Sequence, residues 1–300
     1  MPRSEPALML ALGVLWAAPF ALTKTTLATI PPVTAVAARV AVAAAVLWLV
    51  VLATGRMRGV RGLPLGALLV QAVLGCLVPY TTTAIGQLTV DSALASILNS
   101  SSPVFLCVIC LIGGFERVAP TRIVGVILGL GGIVMLAGWT AAQGLGQQTM
   151  GQIVISLGTL SIACGALYAR RFAQIPSEVA AAVTLTWTAV LLWPAAFVFE
   201  SPLAVAPSTA SLAALLANAV IATALGFVIY FRLVRTVGAL TTSGVGYLKM
   251  GFGVLIGCII MGEPVTPSLV LGFITIMAGV ACMSGVDAVA FWRLGRRAPA

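Results

Sequence analysis

Histidine is missing from this chain altogether, and only seven of its 300 residues are acidic. Charged residues of both signs make up 8%, against roughly 25% in soluble domains. So small a supply cannot cover a water-facing surface, which excludes a soluble globular enzyme. Without histidine the commonest metal ligand and general base is gone, and the lone Cys107-to-Cys110 spacing has no second CxxC to complete a zinc site. The six cysteines (Cys76, Cys107, Cys110, Cys164, Cys258 and Cys282) lie inside apolar runs, so neither a disulfide framework nor a metal centre is expected. The phosphate-cradling pattern GxxxxGK[ST] is also absent, so ATP hydrolysis by this chain alone is excluded, and no cofactor is implied.

What is present is apolar surface: 61% of the residues are hydrophobic. The net charge of +9 would suggest a nucleic-acid partner in a polar protein, but here the cations sit in short loops between apolar runs and mark topology, so no nucleic acid is expected. A helix needs about 20 residues to cross a hydrocarbon core of about 30 Å. Ten such segments can be drawn, over residues 7–25, 32–54, 65–86, 92–113, 121–140, 151–170, 179–199, 209–231, 239–261 and 268–290. The expected class is an all-α membrane protein with ten transmembrane helices.

Loop cations orient it, because Lys and Arg beside membrane helices are held on the cytoplasmic side. With the N-terminus inside, that side holds Arg3, Arg56, Arg58, Arg61, Arg117, Arg122, Arg170, Arg171, Arg232, Arg235, Arg293, Arg296 and Arg297, whereas the opposite side holds only Lys24. Arg39 and Lys249 fall within proposed spans. Both termini are therefore expected in the cytoplasm, in the inner (plasma) membrane of a bacterium.

Sliding the chain against itself by 147 residues sets Glu116 on Glu263, Pro120 on Pro267, Gly125 on Gly272, Gly132 on Gly279 and Gly138 on Gly285. It also lays Lys24 on Arg171 and Tyr80 on Phe227. Duplication is the better reading, with a first five-helix repeat over residues 1–145 and a second over 146–300. The match of the first segment to a later one also argues that it is retained and not a cleaved signal peptide. Since five is odd, the second repeat enters the membrane inverted, the arrangement of secondary transporters, whose substrate site lies near the midplane between the halves.

The stretches LWAAPF (Leu15 to Phe20), SSSPVFLCVICLIGGFE (Ser100 to Glu116), IATALGFVIYFRLVRTVGAL and VLIGCIIMGEPVT (within Ile221 to Thr266) resemble the ten-helix EamA-type members of the drug/metabolite transporter superfamily. The resemblance covers essentially the whole chain. It implies two inverted five-helix repeats that move a metabolite across the membrane, with export of amino acids, aromatic ones among them, known in relatives. One departure stands out: the family usually carries a proline where this chain has Met250, the equivalent of Pro103.

Candidate substrate-binding residues are Trp16, Tyr80, Asn99, Ser102, Tyr247 and Lys249. Lys249 is the most conspicuous, since an uncompensated charge at mid-span costs at least about 2.5 to 3.5 kcal/mol. Two readings stand side by side for it: contact with a ligand carboxylate, or a substitution that snorkels or stays neutral. The shift by 147 sets Ser102 opposite Lys249, so the two are expected to meet at the centre. Arg39, about two turns from Pro31, is expected to anchor at the outer interface, with lining of a vestibule as the competing reading. For the aromatics the competing reading is interfacial belt or packing. Pro79 and Pro103 are expected helix breaks that release carbonyls toward a cavity. Glycine spacings such as Gly125 to Gly129 and Gly253 to Gly257 predict close helix contacts.

No Asp, Glu or His lies mid-membrane to serve as a proton relay, since Asp91, Glu116, Glu178, Glu200 and Glu263 fall at helix ends or in loops. Facilitated exchange, or coupling through the substrate's own charge, is expected. The reading is a non-enzymatic exporter with a small-molecule substrate, the lipid bilayer as its other partner, and a monomer as the working unit. Its rivals are a channel-like facilitator, a multidrug exporter and, remotely, an intramembrane hydrolase pairing Lys249 with Ser102 or Ser243.

Overall fold

The computed structural model describes residues 5–60, 62–113, 120–142, 146–172, 174–237, 242 and 245–284. Ten helices follow one another among them: α1 (Glu5–Thr26), α2 (Pro32–Ala53), α3 (Leu65–Gly86), α4 (Ser92–Gly113), α5 (Pro120–Ala142), α6 (Gly146–Phe172), α7 (Ser177–Phe199), α8 (209–237), α9 (245–260) and α10 (Pro267–Ser284). No strand occurs among the described residues. Helices are the form in which an apolar chain meets its backbone hydrogen bonds within each segment, as hydrocarbon demands. Seven of them, α1 to α4 and α6 to α8, are long and apolar enough to cross a bilayer, and the other three carry shorter apolar stretches, Ile123–Leu136, Leu248–Ile260 and Pro267–Cys282. Large apolar side chains such as Ile112 (84% exposed) and Phe199 (79%) point outward, as a lipid-facing belt requires. Helix α6 starts at Gly146, earlier than the expected 151, and α9 is described only from Val245.

The two halves interlock through a pseudo-two-fold. Helix α1 packs on α8 and α9, and its counterpart α6 packs on α3 and α4, while α2 with α7, α4 with α9 and α5 with α10 pair across the axis. The α5–α10 contact shows the symmetry at the level of residues. A Cβ on Gly279 would lie 2.6 Å from the Gly125 carbonyl, and one on Gly132 would lie 3.2 Å from the Gly272 carbonyl. The glycines that the 147-residue shift superposes thus meet crosswise, each contact repeated with partners exchanged, which is the signature of a two-fold interface. The Gly253 and Gly257 spacing does similar packing work, laying α9 against Ser96 and Ala93 of α4.

The two largest apolar clusters lie one to each side. One joins α2, α3, α7 and α8 through residues such as Val40, Leu47, Leu68 and Leu185; the other joins α4, α5, α9 and α10 through Ile97, Leu98, Met250 and Ile276. Helix ends are tied across the halves by carboxylates. Glu200 accepts from Val33 N (2.9 Å), Thr34 N (2.7 Å) and Thr34 Oγ1 (2.9 Å) at the start of α2. Glu263, turned inward by Gly262 in the left-handed region (φ +68°), accepts from Ser92 N, Ser92 Oγ and Ala93 N at the start of α4. Negative charge at a helix N-terminus satisfies orphan donors and meets the positive end of the dipole.

Candidate transport cavity

Between the clusters lies a cavity of about 240 Å³ to which α1, α2, α3, α4, α8 and α9 all contribute. Irregular backbone surrounds it. In α3 the turn Val73–Leu77 widens to π geometry, and Pro79, which has no N–H to donate, follows at once. In α4 the helix breaks at Ser101 (φ −78°, ψ 4°), and Pro103 sits at the start of the segment that resumes. In α8 the turn Asn218–Leu225 is again π, and Thr223 Oγ1 donates to Asn218 O at 2.8 Å. This widened stretch of α8 occupies nearly the position that the widened turn of α3 takes under the 147-residue shift.

The cavity's walls combine aromatic rings with two cations. Trp16 stands edge-on to Phe227 (centroids 6.4 Å apart) and lies 5.1 Å from the Tyr230 ring. Arg39 donates through Nε to Thr223 Oγ1 (3.1 Å), and its guanidinium lies over the Tyr80 ring at 4.7 Å. Across the cavity, Lys249 Nζ donates to Asn99 Oδ1 (2.9 Å) and lies 5.9 Å from the Phe20 centroid. Asn218 uses its amide nitrogen on Thr23 Oγ1 (3.1 Å), while its buried amide oxygen has no partner among the described residues. No Asp or Glu among the described residues lines the space.

Of the residues singled out in the sequence, Trp16, Tyr80, Asn99 and Lys249 are brought together here. Ser102 is not among the lining residues, and Lys249 meets Asn99, one turn earlier on α4, in its place. The reason is the break at Ser101, which resets the face that the following turn presents. Tyr247 falls on α9, but its side chain lies outside the described residues. Arg39 follows the second of its two readings, lining the cavity and not anchoring at the interface: its side chain turns inward, where Tyr80 and Thr223 hold it. Asn218, Thr223 and Pro19 were missed. A lone Asn or Pro inside an apolar span was the available signal, and LWAAPF already contained Pro19.

The lining runs from Trp16 and Lys249 toward Thr26, Ala35 and Leu215, at the helix ends opposite the N-terminus. On the N-terminal side the seam of α1, α8 and α9 is packed shut by Leu12, Leu233 and Val245, all fully buried. Glu5 adds a hydrogen bond from Thr236 Oγ1 (3.0 Å) and lies 3.8 Å from Arg232. A cavity sealed toward one end and lined by both halves is the arrangement of a multi-pass membrane carrier of the inverted-repeat class.

Comparison with known proteins makes that class specific. The EamA-like transporter family model matches twice, over residues 4–138 and 149–285. The chain belongs to that family, within the drug/metabolite transporter superfamily, and is a multi-pass membrane transporter. It is 26% identical over 288 residues to the uncharacterized transporter YvbV of Bacillus subtilis (strain 168), covering 95% of this chain and 93% of that one. It is 27% identical over 212 residues to the uncharacterized inner membrane transporter YedA of Escherichia coli (strain K12), covering 69% and 68%. A crystal structure of a protein at 20% identity superposes with a TM-score of 0.64 over 94% of this chain and 98% of the other, a likeness of fold.

Proposed function

We propose that this transporter exports small metabolites, amino acids first, across a bacterial inner membrane by alternating access through the central cavity. The observation that carries the reading is the lining itself: two donors of positive charge, Arg39 and Lys249, beside an aromatic shelf of Trp16, Tyr80 and Phe227. A carboxylate finds charge-assisted donors there, and a side chain finds rings to pack on. The same lining disfavours a multidrug exporter of hydrophobic cations, which would meet like charge and no carboxylate.

Both termini lie in the cytoplasm in this proposal, so the cavity extends toward the outer face and the seal of Leu12, Leu233 and Val245 closes the inner one. In a cysteine-free background, a cysteine placed at Gln147 should label from outside and one at Arg58 from inside. Labelling of both from one side sinks the topology. For function, expression in cells that overproduce single amino acids should raise tolerance to at least one of them or to a toxic analogue. Tolerance to hydrophobic cations alone would replace this reading with the multidrug one. Counterflow in proteoliposomes separates a carrier from a channel, because only a carrier is accelerated by substrate on the far side.

A further inference from the structure

Every described acidic residue is placed away from the cavity. Glu5 meets Thr236 and Arg232, Asp91 lies 4.0 Å from Lys24, Glu178 pairs with Arg56, and Glu200 and Glu263 cap helices. Arg39 and Lys249 therefore have no counter-ion among the described residues. Among the described residues Arg39 donates only through Nε, which leaves the four N–H of its terminal amino groups without an acceptor there. Lys249 donates once among the described residues, to Asn99, which leaves two more. The two cations stand at different walls, Arg39 against α3 and α8, Lys249 against α4 and near α1.

Charges kept unpaired in a membrane interior are costly and persist where a ligand or a wet cavity compensates them. A zwitterion brings no net charge and leaves the excess in place. We infer that the cargo is a small molecule with two acidic groups, an acidic amino acid or related dicarboxylate, held with one carboxylate on Arg39 and the other on Lys249. This rests on the transport reading above and narrows its substrate. Asn218 lines the same cavity, and its buried Oδ1 has no partner among the described residues; a small turn of the side chain brings that acceptor to a cargo ammonium, which favours the acidic amino acid over the plain dicarboxylate. The charge balance also bears on the cycle: closing the empty cavity traps two bare cations, so exchange of cargo for cargo outpaces net efflux.

The test uses the full-length protein in proteoliposomes preloaded with unlabelled glutamate, succinate or phenylalanine and given the same labelled compound outside. Ligand-induced thermal stabilisation in detergent runs in parallel. Glutamate and succinate should exchange and raise the melting temperature, with phenylalanine slower by about ten-fold or more. Arg39→Gln and Lys249→Met should each lower glutamate exchange by about ten-fold or more, while Lys249→Arg retains most of it. Asn218→Ala should weaken glutamate and spare succinate. Phenylalanine exchanging as fast as glutamate, or variants that leave glutamate untouched, would overturn the two-acid cargo and leave the carrier standing. Stabilisation by both acids that depends on Arg39 and Lys249, without exchange of any probe, would keep the site and remove the carrier reading. Neither stabilisation nor exchange with either acid overturns the assignment, and ligand-free melting of each variant reports its folding.

Discussion

Helices α4 and α9 occupy equivalent places in the two halves and face each other across the axis, yet they meet the membrane centre differently. Helix α4 is broken at Ser101 and restarts with Ser102 and Pro103. Helix α9 runs unbroken through Lys249 and Met250 and widens only later, at Ile256–Ile260. Met250, in the place of the proline, is 1% exposed and packs in the core, while Lys249 reaches the cavity and takes hold of Asn99 on α4. One copy thus interrupts its backbone and the other keeps it and carries a charged side chain. Duplicated helices can keep their positions and packing and still divide the polar work, because only one irregularity is needed to let a cation find a partner across the axis.

The sharpest way to break that comparison is Met250→Pro. In the continuous α9 it removes an interior hydrogen bond and clashes with the preceding turn, so we expect a loss of about 3 kcal/mol, read as a lower melting temperature in detergent. Tolerance without loss, and above all a more active Lys249→Met/Met250→Pro carrier, would show that α9 is a disguised copy of α4 and would take Lys249 out of the site. Next comes Lys249→Met alone, which keeps an unbranched stem and removes the ammonium. Apparent affinity for carboxylate cargo should fall by about 1.5 to 3 kcal/mol, with stability unchanged or improved. Transport as good as that of the starting protein assigns the lysine to no more than packing.

A smaller effect belongs to the start of α4. Glu263→Gln weakens an acceptor that serves Ser92 N, Ser92 Oγ and Ala93 N, and should cost about 1 to 2 kcal/mol in stability with little change in cargo preference. A change in preference with intact stability would tie this cap to the cavity. The smallest effect is in pH. Burial first, then the nearby Glu263 carboxylate, pushes the Asp91 carboxyl up, partly offset by Lys24. The folded protein holds that proton more tightly than the unfolded chain, so the contribution is fully present below the ordinary carboxylate range and lost as pH rises through the raised value. Melting should therefore show a small gain on mild acidification, by comparison with Asp91→Asn, which lacks it; identical pH profiles would discount the shift.

Much of the architecture was legible in the residues. Apolar runs of bilayer length, with cations confined to loops, follow from the cost of charge and of unmet backbone groups in hydrocarbon, and that cost acts on each segment separately. The duplication was readable because Glu116 and Glu263, or Gly132 and Gly279, recur at one register. Trp16, Tyr80, Asn99 and Lys249 were recognisable as polar or aromatic exceptions on apolar helices. Arg39 was weighed first as an anchor because sequence distance from a helix end measures how far a side chain can snorkel and says nothing of which neighbours attract it. Ser102 was paired with Lys249 by register alone, and the break at Ser101 turned the next face away and offered Asn99.

The sequence by itself determined the number of helices, the two-fold relation of the halves and the presence of charges that need company, because hydrophobic length, repetition and composition are properties of single segments. Only the tertiary structure decided which charges share a cavity, that Asn218 joins its lining, and that Glu200 and Glu263 bind helices of the opposite half. Those outcomes depend on the rotation of each helix about its axis and on breaks and widened turns that shift its face, which packing among ten helices sets jointly.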